Sequence, residues 1–156
     1  MSIQTVGIIG AGTMGNGIAQ ACAVSGVNVV MVDISEAAVA KGIATVTSSL
    51  DRLIKKEKMT EAEKTAALAR IHGSTQYQDL QKAQLVIEAA TENFDLKVKI
   101  LKQVDSLLAE DVVVASNTSS ISITKLAAAT TRADRFIGMH FFNPDRKSTR
   151  LNSSHT

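Results

Sequence analysis

The sequence predicts an α/β protein built on a doubly wound, mostly parallel sheet. Short apolar runs rich in β-branched residues alternate with segments of helical periodicity, which is typical of parallel strands joined by right-handed helical crossovers. With 156 residues the chain has the length of about one domain. Its 45% apolar and 21% charged residues are ordinary for a globular protein with a sizeable core.

Five apolar runs are interpreted as strands. They are TVGIIG (5–10), VNVVMVD (27–33), AQLVIEAA (83–90), DVVVASN (111–117) and RFIGMHFF (135–142). Continuous apolar runs of this kind are typical of strands that helices cover on both sides.

Helices are predicted between these strands. Their approximate ranges are 13–25, 35–58, 60 onwards, 95–109 and 122–130. Ser35 is the expected N-cap of the longest helix, since serine side chains accept hydrogen bonds from the first turn. Thr60 and Glu63 form the ends of a TEAE capping box, which predicts a helix start at that point.

Composition excludes several classes of protein. The net charge of +2 and the 3% aromatic content give no indication of nucleic-acid binding. Cys22 is the single cysteine, which excludes an intramolecular disulfide and a multi-cysteine metal site, and it is expected to be a small core residue. Polar residues and glycines interrupt the uncharged N-terminal stretch, so neither a signal peptide nor a membrane span is predicted, and a cytoplasmic location is expected.

A glycine-rich loop, Gly10-Ala-Gly12-Thr13-Met14-Gly15, joins the first predicted strand to the first predicted helix. In a G-x-G-x-x-G loop the three glycines permit a tight turn, leave room for a pyrophosphate, and allow close packing of helix on strand. The helix N-terminus offers unpaired N–H groups to the phosphates. The alternative is a tight strand-to-helix turn without a ligand.

Asp33 ends the second predicted strand, about 20 residues after the glycine loop. A carboxylate there can accept hydrogen bonds from a ribose 2′-hydroxyl and would repel a 2′-phosphate, so it favours NAD over NADP. FAD enzymes share this fingerprint, and Asp33 has an alternative role as a cap for the following helix.

Three further stretches fall at the carboxyl ends of predicted strands, where open α/β sheets bind ligands. They are EAATENFDLK (88–97), SNTSS (116–120) and HFFNP (140–144). Together with GAGTMGNGIAQ (10–20), they resemble the NAD-binding Rossmann domain of the 3-hydroxyacyl-CoA dehydrogenases, including the bacterial 3-hydroxybutyryl-CoA enzymes. The resemblance runs from about residue 3 to Pro144.

The resemblance implies NAD-dependent oxidation of an L-3-hydroxyacyl-CoA to a 3-oxoacyl-CoA, or the reverse, in fatty-acid or butyrate metabolism. The implied cofactor contacts are Gly10, Gly12, Thr13, Met14, Gly15, Asp33, Glu92, Lys97, Ser119 and Asn143. His140 matches the catalytic histidine, and Ser119 matches a serine that touches both substrate and cofactor. Ser49 and Lys56 match positions that meet the coenzyme A part of the substrate.

Each of these residues also has a purely structural interpretation. A lone histidine at a strand end, such as His140, is usually a satisfied structural residue. Ser119 by itself would be an N-cap, and Glu92 and Lys97 would be charges at a solvated helix end. Lys56 belongs to a lysine-rich stretch that could simply solvate a helix. A related β-hydroxyacid dehydrogenase or a flavoprotein is a further alternative.

The sequence departs from the family pattern after Pro144. Residues 1–144 are expected to form the NAD-binding domain, and residues 145–156 (DRKSTRLNSSHT) are expected to be a non-homologous polar tail, either an artefact or a flexible extension. In the family the next strand carries a glutamate that pairs with the catalytic histidine, and this position falls at Asn152. The fold is expected to be truncated before the helical second domain of the family.

Two functional hypotheses follow for this sequence. Under the first, the chain is the cofactor-binding half of a dehydrogenase that acts on an acyl-CoA. Under the second, it binds NAD(H) with little or no turnover. A homodimer of the family type is not expected, because the second domain carries the dimer contacts in the family.

Overall fold

A computed structural model of the chain describes residues 2–117, 120–141 and 151–155, with the backbone alone for residues 120, 121, 140, 141 and 151–155. The described residues form one seven-stranded sheet and five α-helices. The strands are β1 Thr5–Ile9, β2 Asn28–Val32, β3 Ile71–Ser74, β4 Leu85–Glu88, β5 Val113–Ser116, β6 Phe136–Phe141 and β7 Leu151–His155. The α-helices are α1 Thr13–Val24, α2 Glu36–Lys55, α3 Glu61–Ala69, α4 Phe94–Asp105 and α5 Ser120–Ala128, and short 3₁₀ helices span Tyr77–Lys82 and Ala133–Arg135.

The strand order is β3-β2-β1-β4-β5-β6-β7. The first six strands of this order are parallel, and β7 is antiparallel to β6. The prediction of a doubly wound, mostly parallel sheet is therefore confirmed. The direction of winding reverses between β1 and β4, and in such sheets ligands bind outside the carboxyl ends of the strands at this point.

The hydrophobic core lies on both faces of the sheet. On one face, Ile8 and Met31 pack with residues of α1, α2 and α3. On the other face, Ile9 and Val30 pack with residues of α4 and α5. Consecutive strand residues thus enter opposite cores, which explains why the strands are continuous apolar runs rather than alternating ones.

Two of the predicted helix starts are confirmed in detail. The Ser35 side chain accepts a hydrogen bond from the Ala38 N–H at 3.1 Å and caps α2. At the start of α3, Thr60 Oγ1 accepts from the Glu63 N–H at 3.1 Å, and the Glu63 carboxylate accepts from the Thr60 N–H at 3.0 Å. This is the reciprocal capping box that the TEAE sequence predicts.

Strand β3 was not predicted. Its sequence, IHGS, contains a single buried apolar residue, Ile71, and His72 is exposed. The strand lies at the edge of the sheet, and a Cβ on Gly73 would stand 2.2 Å from Val39 Cγ1. The close packing of α2 on β3 therefore depends on Gly73. In a sequence pattern, glycine counts against a strand, so β3 was missed.

Strand β7 was not predicted either. The backbone of residues 151–155 pairs with β6, and residue 152 lies directly opposite residue 140. The sequence LNSSH carries no apolar alternation, so this pairing left no signal in the pattern. The boundary predicted at residue 144 stays a prediction.

The C-terminal end of α4 is held by a buried arginine. Arg132 is 2% exposed, and its Nε donates to Asp105 Oδ1 at 2.5 Å. Its remaining guanidinium nitrogens donate to backbone carbonyls at or just beyond the helix end, those of Asp105, Leu108, Ala109 and Val112. One side chain thus satisfies the carbonyl of the last residue of α4, which has no partner within the helix, and ties the helix end to the segment that leads into β5.

In the described part of the chain, no helix has the length and apolar character needed to cross a membrane.

We expect Arg132→Met to lower the free energy of unfolding by roughly 3 kcal/mol, because it removes the cation beside a largely buried carboxylate and leaves several carbonyl groups without a partner. Urea denaturation measures this change. Arg52→Met, at an exposed position near the end of α2, is the matched control and should change the value by less than about 0.5 kcal/mol. Equal effects of the two substitutions would contradict the role assigned to Arg132.

The same contact makes stability depend on pH. Burial alone would raise the pKa of Asp105, but hydrogen bonds from Arg132 and Thr131 outweigh it and hold that pKa below its ordinary value. The carboxylate therefore stabilises the fold above its unfolded-state pKa, near 4, and this stabilisation is lost as the pH falls through the lower folded-state value. We expect Asp105→Asn to be less stable than the parent chain at neutral pH, with a difference that narrows below about pH 4. A difference that stayed constant in urea titrations across that range would refute this.

Candidate functional site

The three glycines of the loop between β1 and α1 have different surroundings. Gly10 has a φ of 109°, and a Cβ on it would lie 2.8 Å from the Ala89 carbonyl oxygen. A Cβ on Gly15 would lie 1.9 Å from the Gly10 carbonyl oxygen. A Cβ on Gly12 would meet no atom within 4 Å. The first two glycines are thus required by the turn and by helix packing, whereas Gly12 leaves open space of the kind that a pyrophosphate needs.

The N-terminus of α1 faces this open space without a side-chain cap. Gly12 is the N-cap residue, and the first turn contains no acidic side chain. Thr13 is exposed and Met14 is half-buried. The first N–H groups of a helix have no partner within the helix and carry a partial positive charge, so this end of α1 can bind an anion.

Asp33 lies just beyond the carboxyl end of β2, next to the glycine loop. Its Oδ2 accepts from the Ala11 N–H at 2.8 Å, and its Oδ1 accepts from the Ile34 N–H at 2.6 Å. The alternative role of Asp33 as a helix cap is taken by Ser35. Each carboxylate oxygen has a further lone pair available, so the half-buried Asp33 can still accept from a ligand hydroxyl.

Two cavities meet at Asp33. One, of about 230 Å³, lies between α1 and α2, and its lining includes Gly12, Thr13 and Lys41. The other, of about 330 Å³, is more apolar and extends towards α4. Its lining includes Ile34 and Tyr77. Ile34 is 89% exposed, so this apolar side chain beside the carboxylate is available to pack against a planar ring.

The pKa of Tyr77 is affected by the negative charge of this region. Burial raises the pKa of its phenol, and the negative charges of Asp33 and Glu88 raise it further. The hydroxyl therefore stays protonated at neutral pH, and the edge of the sheet around it carries two carboxylates.

A buried polar cluster lies at the carboxyl ends of β4 and β5. The Glu88 carboxylate is 0% exposed and accepts from Lys97 Nζ at 2.5 Å, from Ser116 Oγ at 2.7 Å and from the Ala90 N–H at 2.8 Å. The cluster connects β4, β5, α4 and the loop that begins at Ala89. Burying a carboxylate is costly unless it is paired and hydrogen-bonded, and here both conditions are met.

Glu92 and Lys97, two of the cofactor contacts that the resemblance implies, have different surroundings in the structure. Glu92 is exposed in the loop between β4 and α4. Lys97 is 3% exposed, and its ammonium group is turned inward to Glu88. It is therefore not the solvated helix-end charge of the structural interpretation.

The remaining residues of the expected catalytic set are placed only in part. Ser119 and Asn143 lie outside the described residues. The backbone of His140 lies in β6, one residue before the end of that strand. Parallel strands present their carboxyl ends at one edge of a sheet, so His140 lies towards the same edge as Asp33 and Glu88.

The two residues implied for coenzyme A lie further away along α2. Gly42 of α2 approaches the glycine loop, since a Cβ on it would lie 2.7 Å from the Ala11 carbonyl oxygen. Lys56, the exposed C-cap residue of α2, lies about 20 Å further along the helix axis. Ser49 is half-buried between them. The structure does not bring either residue to the glycine loop.

Sequence reasoning missed Glu88 and Ser116 as site residues. Each is the polar last residue of an otherwise apolar strand, LVIE and VVAS, and the two lie opposite each other in the sheet. A charged residue at the end of a fully buried strand was the signal that could have identified Glu88, because such a charge needs a partner.

Comparison with known proteins places this site in a family. The model of the 3-hydroxyacyl-CoA dehydrogenase NAD-binding domain matches residues 5–150. A 3-hydroxybutyryl-CoA dehydrogenase of Bradyrhizobium diazoefficiens is 49% identical over 91% of this chain and 48% of its own length. The fatty acid oxidation complex subunit alpha of Psychrobacter arcticus is 41% identical over 91% of this chain and 20% of its own length.

A solved structure agrees with the sequence comparisons. The crystal structure of (S)-3-hydroxybutyryl-CoA dehydrogenase from Ralstonia eutropha is 74% identical, with a TM-score of 0.93, over 97% of this chain and 54% of that one. The chain spans about half the length of the 3-hydroxybutyryl-CoA dehydrogenases it matches. The glycine loop, the acid that follows β2 and these matches together show that the chain belongs to the 3-hydroxyacyl-CoA dehydrogenase family, of which residues 5–150 match the NAD-binding domain.

Proposed function

We propose that this chain is the cofactor-binding half of an enzyme that oxidises an L-3-hydroxyacyl-CoA to the 3-oxoacyl-CoA with NAD, or catalyses the reverse reaction. The observation that carries the proposal is that three features lie together around the glycine loop. They are the open space at Gly12, the uncapped N-terminus of α1, and the Asp33 carboxylate. These groups fit the pyrophosphate and the adenosine ribose of a dinucleotide. The family membership and the names of the relatives support the choice of reaction.

The residues have distinct roles in the proposed binding of NAD. The N–H groups at the start of α1 hold the pyrophosphate over Gly12. Asp33 accepts from the ribose hydroxyls and repels a 2′-phosphate, which selects NAD over NADP. Ile34, which is exposed beside Asp33, packs against the adenine. Bound NAD supplies the hydride acceptor.

The proposed chemistry on the substrate belongs to His140 and Ser119. Oxidation of a secondary alcohol requires a base for the hydroxyl proton. An imidazole titrates near neutral pH, so His140 can take that proton and return it in the reverse reaction. Ser119 orients the substrate oxygen, and Glu92, Lys97 and Asn143 contact the cofactor. Ser49 and Lys56 meet the coenzyme A portion of the substrate. Coenzyme A is long enough to span the distance of about 20 Å along α2 between Gly42, next to the glycine loop, and Lys56.

A second candidate function is NAD(H) binding with little or no turnover. The observation that favours it is the register of β6 and β7, in which Asn152 lies opposite His140. The resemblance implies a glutamate at this position, and an amide does not supply its negative charge. Without that charge, the imidazolium formed during oxidation is less stable.

We expect Gly12→Val to abolish NADH binding while the chain stays folded. An added Cβ meets no atom within 4 Å and the φ of −71° suits any residue, so the free energy of unfolding should fall by no more than about 1 kcal/mol, the cost of replacing glycine by valine at an N-cap. The same side chain fills the proposed pyrophosphate site, and the dissociation constant for NADH should rise by roughly 100-fold or more, the loss of two or more charge-assisted hydrogen bonds.

Calorimetric titration with NADH and thermal unfolding measure the two effects. Ala44→Val, at an exposed position on α2, is the control and should leave both unchanged. Undiminished NADH binding by Gly12→Val would refute the proposed cofactor site.

We expect the parent chain to reduce acetoacetyl-CoA slowly and Asn152→Glu to accelerate this reaction by about tenfold or more, the low end of what a tuned general base contributes. Residues directly opposed in an antiparallel pair have Cβ atoms about 5 Å apart, so a carboxylate at 152 can pair with the imidazole at 140. The consumption of NADH, followed by its absorbance, measures the rate.

The double variant His140→Asn/Asn152→Glu should return to the background rate if the gain acts through the histidine. A parent chain with turnover as fast as Asn152→Glu would contradict the role given to the charge at position 152.

A further inference from the structure

Glu88 is a buried charge for which the proposed reaction has no use. It is the last residue of β4, a central strand, and lies opposite Ile9 of β1 and Ser116 of β5. Its exposure is 0%. Buried ion pairs add little net stability compared with apolar residues of similar size, so stability alone does not account for a carboxylate here.

The partners of Glu88 lie on three separate elements that surround the ligand edge. Oε1 accepts from Lys97 Nζ of α4 and from Ser116 Oγ of β5, while Oε2 accepts from the Ala90 N–H of the following loop. Three donors thus fix the carboxylate in orientation as well as in place. Conversely, the single carboxylate fixes three elements relative to one another.

Lys97 depends on this carboxylate for its position. It lies in the first turn of α4, where Asn93 is the N-cap and accepts from the Leu96 N–H at 3.0 Å. The partial positive charge of a helix N-terminus disfavours a cation at such a position. Among the described residues, Glu88 is the only hydrogen-bond partner of the Lys97 ammonium group. The charge of Glu88 therefore offsets both the burial of Lys97 and its repulsion by the helix.

The loop held by Glu88 is in contact with the glycine loop. A Cβ on Gly10 would lie 2.8 Å from both the Ala89 carbonyl oxygen and the Ala90 Cα, so the two loops pack backbone against backbone. The loop then runs through Glu92 to the start of α4. In a doubly wound sheet the half that contains β1 and β2 takes one nucleotide, and the half that begins with β4 takes the other. Asp33 is in the first half, so Glu88 lies beneath the second, nicotinamide half.

We propose that Glu88 is a positioning residue for the nicotinamide half of the NAD site: its buried carboxylate holds Lys97 Nζ and the loop beginning at Ala89 in place without touching the cofactor. This inference rests on the proposed function, since it requires that the chain binds NAD(H). It adds a residue that acts on one half of the cofactor through its neighbours.

The test compares two ligands on Glu88→Gln in the full 156-residue chain. NADH contains both nucleotide halves, whereas ADP-ribose lacks the nicotinamide. We expect the dissociation constant for NADH to rise by roughly tenfold, equivalent to the loss of about one charge-assisted hydrogen bond, and that for ADP-ribose to change by less than about twofold. A purely structural role would change both constants by the same factor, because it would act through the folded fraction.

Lys102→Met is the matched control on the same helix, since Lys102 is exposed and outside the cavity next to α4. It should leave both constants at the values of the parent chain. Equal weakening of both ligands by Glu88→Gln, or no weakening of NADH, would overturn the inference and leave the proposed function intact. A parent chain that binds neither ligand would overturn both.

If Glu88→Gln is not properly folded, as judged by the loss of a cooperative unfolding transition, a milder variant provides the test. Ser116→Ala removes one donor to Glu88 Oε1 and leaves the ion pair with Lys97 in place. We expect it to raise the dissociation constant for NADH by about threefold, in line with the loss of one weak hydrogen bond, with ADP-ribose binding unchanged. A change of the same size for both ligands would again overturn the inference.

Discussion

The close approach of α1 to the end of β1 determines where every other part of the ligand edge lies. Because Gly15 has no side chain, the backbone of α1 packs directly against the Gly10 carbonyl oxygen. This contact brings the helix N-terminus to the edge of the sheet, within reach of an anion. The same loop supplies the Ala11 N–H that fixes Asp33 and the Ala11 carbonyl against which α2 packs at Gly42. Backbone packing, rather than charge, thus organises the side of the site that contains the glycine loop and Asp33.

Charge organises the opposite side, where α4 is attached at both of its ends by buried ion pairs. Lys97 and Glu88 join its first turn to β4 and β5. Arg132 and Asp105 join its last turn to the segment that precedes β6. Each pair also uses hydrogen bonds to the backbone, so the position of α4 is fixed along its axis and not only by apolar contacts. This helix is a rigid wall for the cavity that reaches from Asp33 towards it.

The sequence predicted those features that local patterns determine. The five apolar strands (β1, β2, β4, β5 and β6), the Ser35 cap, the capping box at Thr60 and the glycine loop all depend on residues close together in the chain. Strand β3 escaped prediction because an edge strand needs little apolar content, and its glycine serves the packing of Val39. The Glu88 cluster escaped because its partners lie 9 and 28 residues away in sequence. Only the assembled sheet brings these partners together.

Because the two ion pairs on α4 are buried, they respond only weakly to ionic strength. Mobile ions screen charges that are exposed to solvent, and they screen buried pairs far less. The pair between Lys64 and Asp51, whose side chains are 20% and 54% exposed, weakens as salt is added. The ion pairs at the two ends of α4 weaken far less, so the geometry of the ligand edge changes little in saline media even where salt loosens the packing of α3 on α2.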